Sequence, residues 1–257
     1  MLTLNDINFM DFYFNGHFLS EFGGYIGSAN GGLKTYSLLP SRTYITDKPL
    51  NYDGNIVFDS YLEPREFTVP IVFDSIDDGG IRQIAGWLNT KQDEMFYFAD
   101  DSVYINCTLD SNNTDLSSIS GEDGECELNF IANDPYYYAL NKSTYNIEDM
   151  SANYNYNMIN AGNSIAYPII TIETSKGFEL DVIDVNQNVY GSFIYQGGQT
   201  LKKPIVIDSK YCTIKSGDTN LYNYIVGEFP TFPTGVFYLR LNIATPKLSV
   251  EFTPRYI

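Results

Sequence analysis

Histidine occurs once in this chain of 257 residues, tryptophan once and cysteine three times. A single histidine, His17, excludes centres built from several imidazoles, as most zinc and iron sites are. No Asp or Glu lies at a motif-like distance from it, so Ser-His-Asp and Cys-His arrangements have no sequence support. His17 follows a turn glycine directly and reads as a solvated turn residue. The cysteines, Cys107, Cys126 and Cys212, are odd in number and lack CxxC spacing, which argues against a disulfide framework and a zinc knuckle. Basic residues are also scarce, 15 Lys+Arg against 32 Asp+Glu for a net charge of −17. Binding to a nucleic acid backbone needs clustered cations, and the lone doublet Lys202-Lys203 does not supply them. No stretch approaches the roughly 18 apolar residues of a membrane span. Met1 to Asp6 lacks the basic and apolar regions of a signal peptide. The expectation is therefore no membrane insertion, and synthesis and folding in a reducing cytoplasm.

What the chain has in quantity is Tyr (22) and Phe (17), with many Ile, Val and Thr. These side chains suit a pleated, half-buried surface, so the composition leans to β. Charge is divided unevenly. Residues 1–135 carry 22 acids against 6 bases, a balance of −16, while residues 136–257 carry 10 against 9. The step falls at Asp134-Pro135-Tyr136-Tyr137-Tyr138, where Pro135 forces an extended predecessor. Two domains are expected, 1–138 and 139–257.

Along the first half, Asn15-Gly16 between aromatic runs predicts a hairpin with a type I′ turn. Gly23-Gly24 and Gly31-Gly32 punctuate a further strand pair, and Asp53-Gly54 turns the chain into Ile56-Val57-Phe58. The alternating run Glu66 to Phe73 contains Pro70, which predicts an edge strand or a bulge. One helix is expected from about Asp78 to Asn89, with Ile81, Ile84, Ala85 and Leu88 as its apolar stripe, Asp77 or Asp78 capping it, and Trp87 near its end. Strands at Met95–Phe98 and Val103–Leu109 precede a long polar loop, about Asp110 to Gly124, and then Cys126–Ile131. If those flanking strands pair, Cys107 and Cys126 become cross-strand neighbours, as a disulfide or, in a reducing compartment, as two buried thiols. After the seam, short strands separated by Gly, Asn, Asp and Pro turns predict a second antiparallel sandwich.

Chemistry-bearing motifs are thin. The Gly pairs at 23–24, 31–32, 79–80 and 197–198 match neither the phosphate-binding nor the dinucleotide-binding pattern and read as strand punctuation. Acidic groups at Asp77-Asp78, Asp100-Asp101 and Glu122-Asp123-Gly124-Glu125 lack the spaced ladder of a calcium loop. No carboxylate pair stands out for glycoside hydrolysis. No catalytic, cofactor-binding or metal residue is nominated, and no cofactor is expected.

An ordered series of landmarks resembles the distal tail proteins (Dit) of long-tailed phages that infect Gram-positive bacteria. It comprises Phe14-Asn15-Gly16, Phe22-Gly23, Asp53-Gly54, Pro64-Arg65-Glu66-Phe67-Thr68-Val69, the helix ending at Trp87-Leu88, Phe96-Tyr97-Phe98-Ala99-Asp100 and Asp134-Pro135-Tyr136. In the second half, Asn160 to Ile172, Phe229-Pro230, Gly235 and Pro254-Arg255-Tyr256-Ile257 are similar to the family's later landmarks. The resemblance implies a mainly β chain: an N-terminal β-sandwich with one α-helix and a long hairpin loop, then a C-terminal galectin-like β-sandwich. It implies a non-enzymatic structural hub of the virion's tail tip or baseplate, a homohexameric ring with the N-terminal domains inside and the C-terminal domains at the periphery. Implied partners are the major tail protein, a tail-associated tip protein and receptor-binding or adaptor proteins, with DNA only in transit through the lumen. A carbohydrate-binding module contacting the host wall, with Tyr154 to Tyr156 stacking on glycan, is the alternative. A tail-tip hydrolase is a third reading, for which no nucleophile or acid/base pair can be named.

Overall fold

The computed structural model describes residues 11–27, 39–50, 53–110, 117–119, 123–201 and 203–257, and the expected Gly31-Gly32 turn lies outside them. The chain divides into two compact units between Tyr137 and Tyr138. Each has its own apolar core, and the two cores share no residue.

The first unit comprises β1 (Phe12–Phe14), β2 (His17–Phe18), β3 (Gly24–Ile26), β4 (Arg42–Asp47), β5 (Ile56–Leu62), β6 (Arg65–Phe73), α1 (Asp78–Leu88), β7 (Glu94–Phe98), β8 (Val103–Leu109), β9 (Ser117–Ile119) and β10 (Asp123–Ala132). Asn15 (φ 42°) and Gly16 (φ 87°) take the left-handed conformations that a type I′ turn demands, closing the β1–β2 hairpin as its sequence predicts. Seven strands follow the order β2-β1-β7-β8-β10-β6-β3, while β9 pairs with β10 inside the long loop. Two strands separate β1 from β10 in that order, yet the rings of Phe14 and Phe130 lie 5.2 Å apart. The sheet is therefore curled over on itself. Its interior is aromatic, with Phe96 5.1 Å from Phe12 and 5.0 Å from Phe130 and all three rings buried. Each such ring contributes about 1.5–3 kcal/mol by leaving water.

Four expectations need correction. Pro70 lies on neither an edge strand nor a bulge, because β6 runs between β10 and β3 in unbroken register with β10. Its carbonyl accepts from the Gly27 amide, so the missing N–H also faces the β3 side. Pairing with β3 stops at Ile26–Ile71, one residue short of the gap. The helix spans Asp78–Leu88, with the Asp77 carboxylate accepting from the Gly80 amide at 2.7 Å, but its buried residues are Ile84, Trp87 and Leu88. Ile81 is 39% exposed and Ala85 is exposed, since the bulk of Trp87 turns the helix towards the aromatic core. Gly79-Gly80 are thus part of a capped helix start and punctuate no strand. Finally, β8 and β10 do pair, through Leu109–Phe130 and Thr108–Ile131, but Cys126 stands opposite Ile71 and Cys107 opposite Glu94. The two cysteines are not cross-strand neighbours; both are buried, and no disulfide joins them.

The second unit follows β11 (Tyr137–Ala139), which spans the seam. Its strands are β12 (Ser143–Met150), β13 (Tyr156–Asn160), β14 (Ile169–Ile172), β15 (Phe178–Ile183), β16 (Val189–Tyr195), β17 (Ile205–Asp208), β18 (Thr213–Ser216), β19 (Thr219–Asn220), β20 (Ile225–Gly227), β21 (Gly235–Leu241), β22 (Thr245–Phe252) and β23 (Arg255–Tyr256). One sheet runs β12-β22-β14-β17-β18-β19 and the other β13-β21-β15-β16-β20. Alternate residues such as Ile170, Ile172, Leu180, Phe193, Phe237 and Leu239 are fully buried, which fills the space between two antiparallel layers. The mainly β, sandwich-type fold agrees with the sequence reading. No helix among the described residues is long and apolar enough to cross a membrane.

Candidate functional site

His17 is exposed, and its Nδ1 lies 2.8 Å from Oε2 of Glu21. The other Glu21 oxygen accepts from the Phe18 amide, so the pair closes a single helical turn at Leu19–Phe22. That amide, and then His17, hold the Glu21 carboxyl below its ordinary pKa. Two of the acids singled out in the sequence serve the backbone in the same way. Asp77 caps α1, and Asp101 accepts from the amides of Ser102 and Val103. Glu122 and the side chain of Asp123 lie outside the described residues. Among the described residues no three His, Cys, Asp or Glu side chains gather as a metal site.

The surfaces offer more than the reactive groups. Alternation along β6 and β10 sends Val69, Ile71 and Leu128 inward and leaves Glu66, Glu125 and Glu127 on the outer face. Asp74, just past β6, accepts from the Tyr25 hydroxyl of β3 at 2.8 Å. Among the described residues, that outer face of β3, β6, β8 and β10 carries no Lys or Arg. A depression of about 300 Å³ opens on it, lined by Glu66, Thr68, Asp110, Asn129 and Ile131 among others.

Among the described residues, β4 and β5 form a two-stranded sheet in which they pair with each other. None of its side chains joins the core of the first unit. Phe58 is 67% exposed, and Tyr44, Ile45, Ile56, Val57 and Tyr61 are exposed beside it. Sequence reasoning finds the turn at Gly54 and β5 but misses β4, although Arg42-Thr43-Tyr44-Ile45-Thr46 carries the β-branched and aromatic types that mark a strand.

At the seam, adjacent tyrosines are held by different arginines. The Arg65 guanidinium lies 4.9 Å from the Tyr137 ring, and its Nε donates to the Pro135 carbonyl at 3.3 Å. In the second unit Arg255 lies 5.8 Å from the Tyr138 ring and Lys210 5.4 Å from it. Both arginines are buried, and cation–π contact offsets part of the cost of burying them. Burial pushes the Tyr137 phenol up, and the Arg65 charge opposes that rise.

In the second unit Tyr154 is exposed, with its ring centroid 4.8 Å from Tyr156 in an edge-on arrangement. The neighbouring loop is tied to this one by Asn155, which donates to Gln187 at 3.0 Å. Arg240 and Asp181 make an ion pair of 2.7 Å on the sheet that carries β15 and β21.

Comparison with known proteins matches these units to phage tail components. Residues 7–134 fit the family model described as a phage tail protein N-terminal domain. An SPbeta prophage-derived uncharacterized protein of Bacillus subtilis (strain 168), YomH, is 24% identical over 239 residues, covering 90% of this chain and 92% of that protein. The crystal structure of SPP1 Dit (gp 19.1), described as a paradigm of the hub adsorption apparatus in phages infecting Gram-positive bacteria, aligns with a TM-score of 0.73 at 16% identity. That alignment covers 96% of this chain and 99% of SPP1 Dit. This chain belongs to the phage tail proteins that carry this N-terminal domain, and both of its units follow the distal tail (Dit) fold.

Proposed function

We propose that this chain is the non-enzymatic structural hub of a phage tail tip or baseplate, a homohexameric ring that joins the tail tube to the tip and receptor-binding proteins. The observation that carries the reading is agreement in fold with a hub protein over nearly the whole of both chains, on a first half that matches a phage tail domain. The first unit forms the ring, and the second, galectin-like in its two-sheet architecture, stands at the periphery. The partners are the major tail protein, a tail-associated tip protein and receptor-binding or adaptor proteins. The protein assembles in the host cytoplasm and resides in the virion. The base-free outer face bearing Glu66, Glu125 and Glu127 suits the wall of a lumen, where like charge repels DNA phosphates and reduces sticking in transit. Light scattering on the purified chain, followed by negative-stain imaging, tests the ring. A mass of about six copies and a ring outline are expected; a monomer at all concentrations overturns it. A reconstructed ring with a neutral or basic lumen overturns the charge argument alone.

A second reading, a module that contacts host-wall carbohydrate, is favoured by the open Tyr154 ring beside Tyr156. Such rings stack on sugar faces. Glycan-array binding by the full chain that Tyr154→Ala abolishes supports it, and no binding on a broad array removes it.

A further inference from the structure

Asn15 carries two tasks at once. Its backbone, at φ 42° beside Gly16 at φ 87°, supplies the left-handed pair that closes the β1–β2 hairpin. Its side-chain nitrogen, Nδ2, donates to the Trp87 carbonyl at 2.7 Å. That carbonyl lies in the last turn of α1, which ends at Leu88. Carbonyls of a last turn find no acceptor's partner within the helix, so the Asn15 amide supplies one.

The same dipeptide is chemically labile. A residue without a Cβ leaves its nitrogen open to approach the preceding side chain, and Gly16 is also exposed to base and water. The Gly16 nitrogen gives up its proton and bonds to Cγ of Asn15. The Cγ–Nδ2 bond breaks, and ammonia leaves carrying that proton. Water then opens the cyclic succinimide at either carbonyl. One product is aspartate; the other is isoaspartate, whose main chain is longer by one carbon.

We propose that Asn15 is a fold-gated deamidation site, shielded while it bonds to Trp87, and that its conversion is a one-way latch on the joint between the first hairpin and α1. Ring closure requires both the side chain and the following peptide plane to rotate. The bond to Trp87 restrains the first, and the left-handed turn restrains the second. Local opening of the joint releases both. Once formed, aspartate has no donor for the Trp87 carbonyl and sets a negative charge beside it. Isoaspartate also lengthens a turn built for two residues. Either product opposes reclosing. The joint carries the aromatic core as well, since the rings of Phe12, Phe14 and Phe22 lie 5.7, 6.2 and 4.6 Å from that of Trp87. Copies that stay closed remain intact, and copies that open are altered for good.

The test incubates the full wild-type chain at pH 8, in native buffer and in urea, and follows conversion by peptide mapping and mass spectrometry. Asn30-Gly31, the other Asn-Gly of the sequence, is the internal standard in urea, where the two sites should convert at similar rates. In native buffer Asn15 is expected to convert at least about tenfold more slowly than in urea, the factor that roughly 1.4 kcal/mol of protection gives. Equal rates at Asn15 in the two conditions overturn the gating. Trp87→Phe removes the return bond to the Phe14 carbonyl, and while circular dichroism shows it folded it should speed native conversion several-fold. An unchanged rate would assign the protection to the turn alone and overturn the part given to Trp87. Asn15→Asp, the first product, is expected to lower the urea midpoint read by Trp87 fluorescence. Asn15→Gly keeps the left-handed turn and loses only the bond, so its loss should be smaller. An Asn15→Asp chain that fails to fold where Asn15→Gly folds is the same result at its limit. An Asn15→Asp midpoint equal to or above that of Asn15→Gly overturns the latch.

Discussion

The indole Nε1 of Trp87 donates to the backbone carbonyl of Phe14 at 2.6 Å, and Asn15, the next residue, returns a bond from its amide to the Trp87 carbonyl at 2.7 Å. The tip of the first hairpin and the end of α1 are therefore locked reciprocally. The Trp87 ring also stacks on Phe22 at 4.6 Å.

Trp87→Phe keeps an aromatic ring but removes the donor, and is expected to cost about 1–3 kcal/mol through the unpaired carbonyl and imperfect filling. Trp87→Ala adds a cavity and is expected to cost about 3–5 kcal/mol. Urea unfolding followed by circular dichroism measures both. In the wild type, Trp87 is the sole tryptophan, so its fluorescence reports unfolding of the first unit alone.

Gly162→Ala is expected to destabilise the second unit selectively. A Cβ there would stand 2.3 Å from the Arg255 carbonyl oxygen and 2.7 Å from its nitrogen, and neither backbone atom can swing away. The surrounding turn is fixed, because Asn160 accepts from the Gly162 amide and donates to the Ser164 and Phe232 carbonyls. Overpacking of this kind costs about 1–3 kcal/mol. Tyrosine near-ultraviolet circular dichroism should show a lower urea midpoint, while the Trp87 fluorescence midpoint stays in place. A shift of both together would mean that the units unfold as one.

Local chemistry was legible in the sequence; pairings at long range were not. Asn15-Gly16 names its turn because positive φ at two successive residues is a local demand. Asp77 names its helix start for a similar reason. The status of Pro70 depends on where β3 ends, which residues 66–73 do not encode. The face that α1 buries depends on which apolar residues find space, and Trp87 outcompetes Ile81 and Ala85 only in the presence of Phe12, Phe14 and Phe22. The β8–β10 register is likewise set by the whole sheet, so two cysteines that flank one loop end up against different neighbours. The Gly54 turn and β5 were legible, but the exposure of their side chains was not, because alternating apolar residues signal a strand whether or not they are covered.

Stability should fall in acid through two surface carboxylates. Backbone amide bonding from Phe18, then His17, lowers the pKa of Glu21; Asn188, first by its side chain and then by its amide, lowers that of Asp184. A carboxyl whose folded pKa is depressed contributes stability above its unfolded pKa and loses it as the pH falls through the folded value. The window therefore lies below the ordinary carboxylate range of roughly 4. Glu21→Gln and Asp184→Asn should each melt below the wild type at pH 7, with the gap closing towards pH 2. A gap that persists at pH 2 would assign the loss to packing instead of charge.

Thiol reactivity should separate the three cysteines cleanly. Cys107 is fully buried on β8, where burial first, and then the charge of Asp93, pushes its thiol pKa well up. The reactive thiolate is thus suppressed as well as inaccessible. Cys126 is buried on β10, while Cys212 is exposed in the β17–β18 turn at φ 50°. Native chain treated with dithiobis(nitrobenzoate) at pH 8 should release one equivalent of thiol quickly, and none after Cys212→Ser. In denaturant the wild type should release three. Fast release of a second equivalent from native protein would mean that the β8–β10 region opens at equilibrium, because neither buried thiol can be reached without parting those strands.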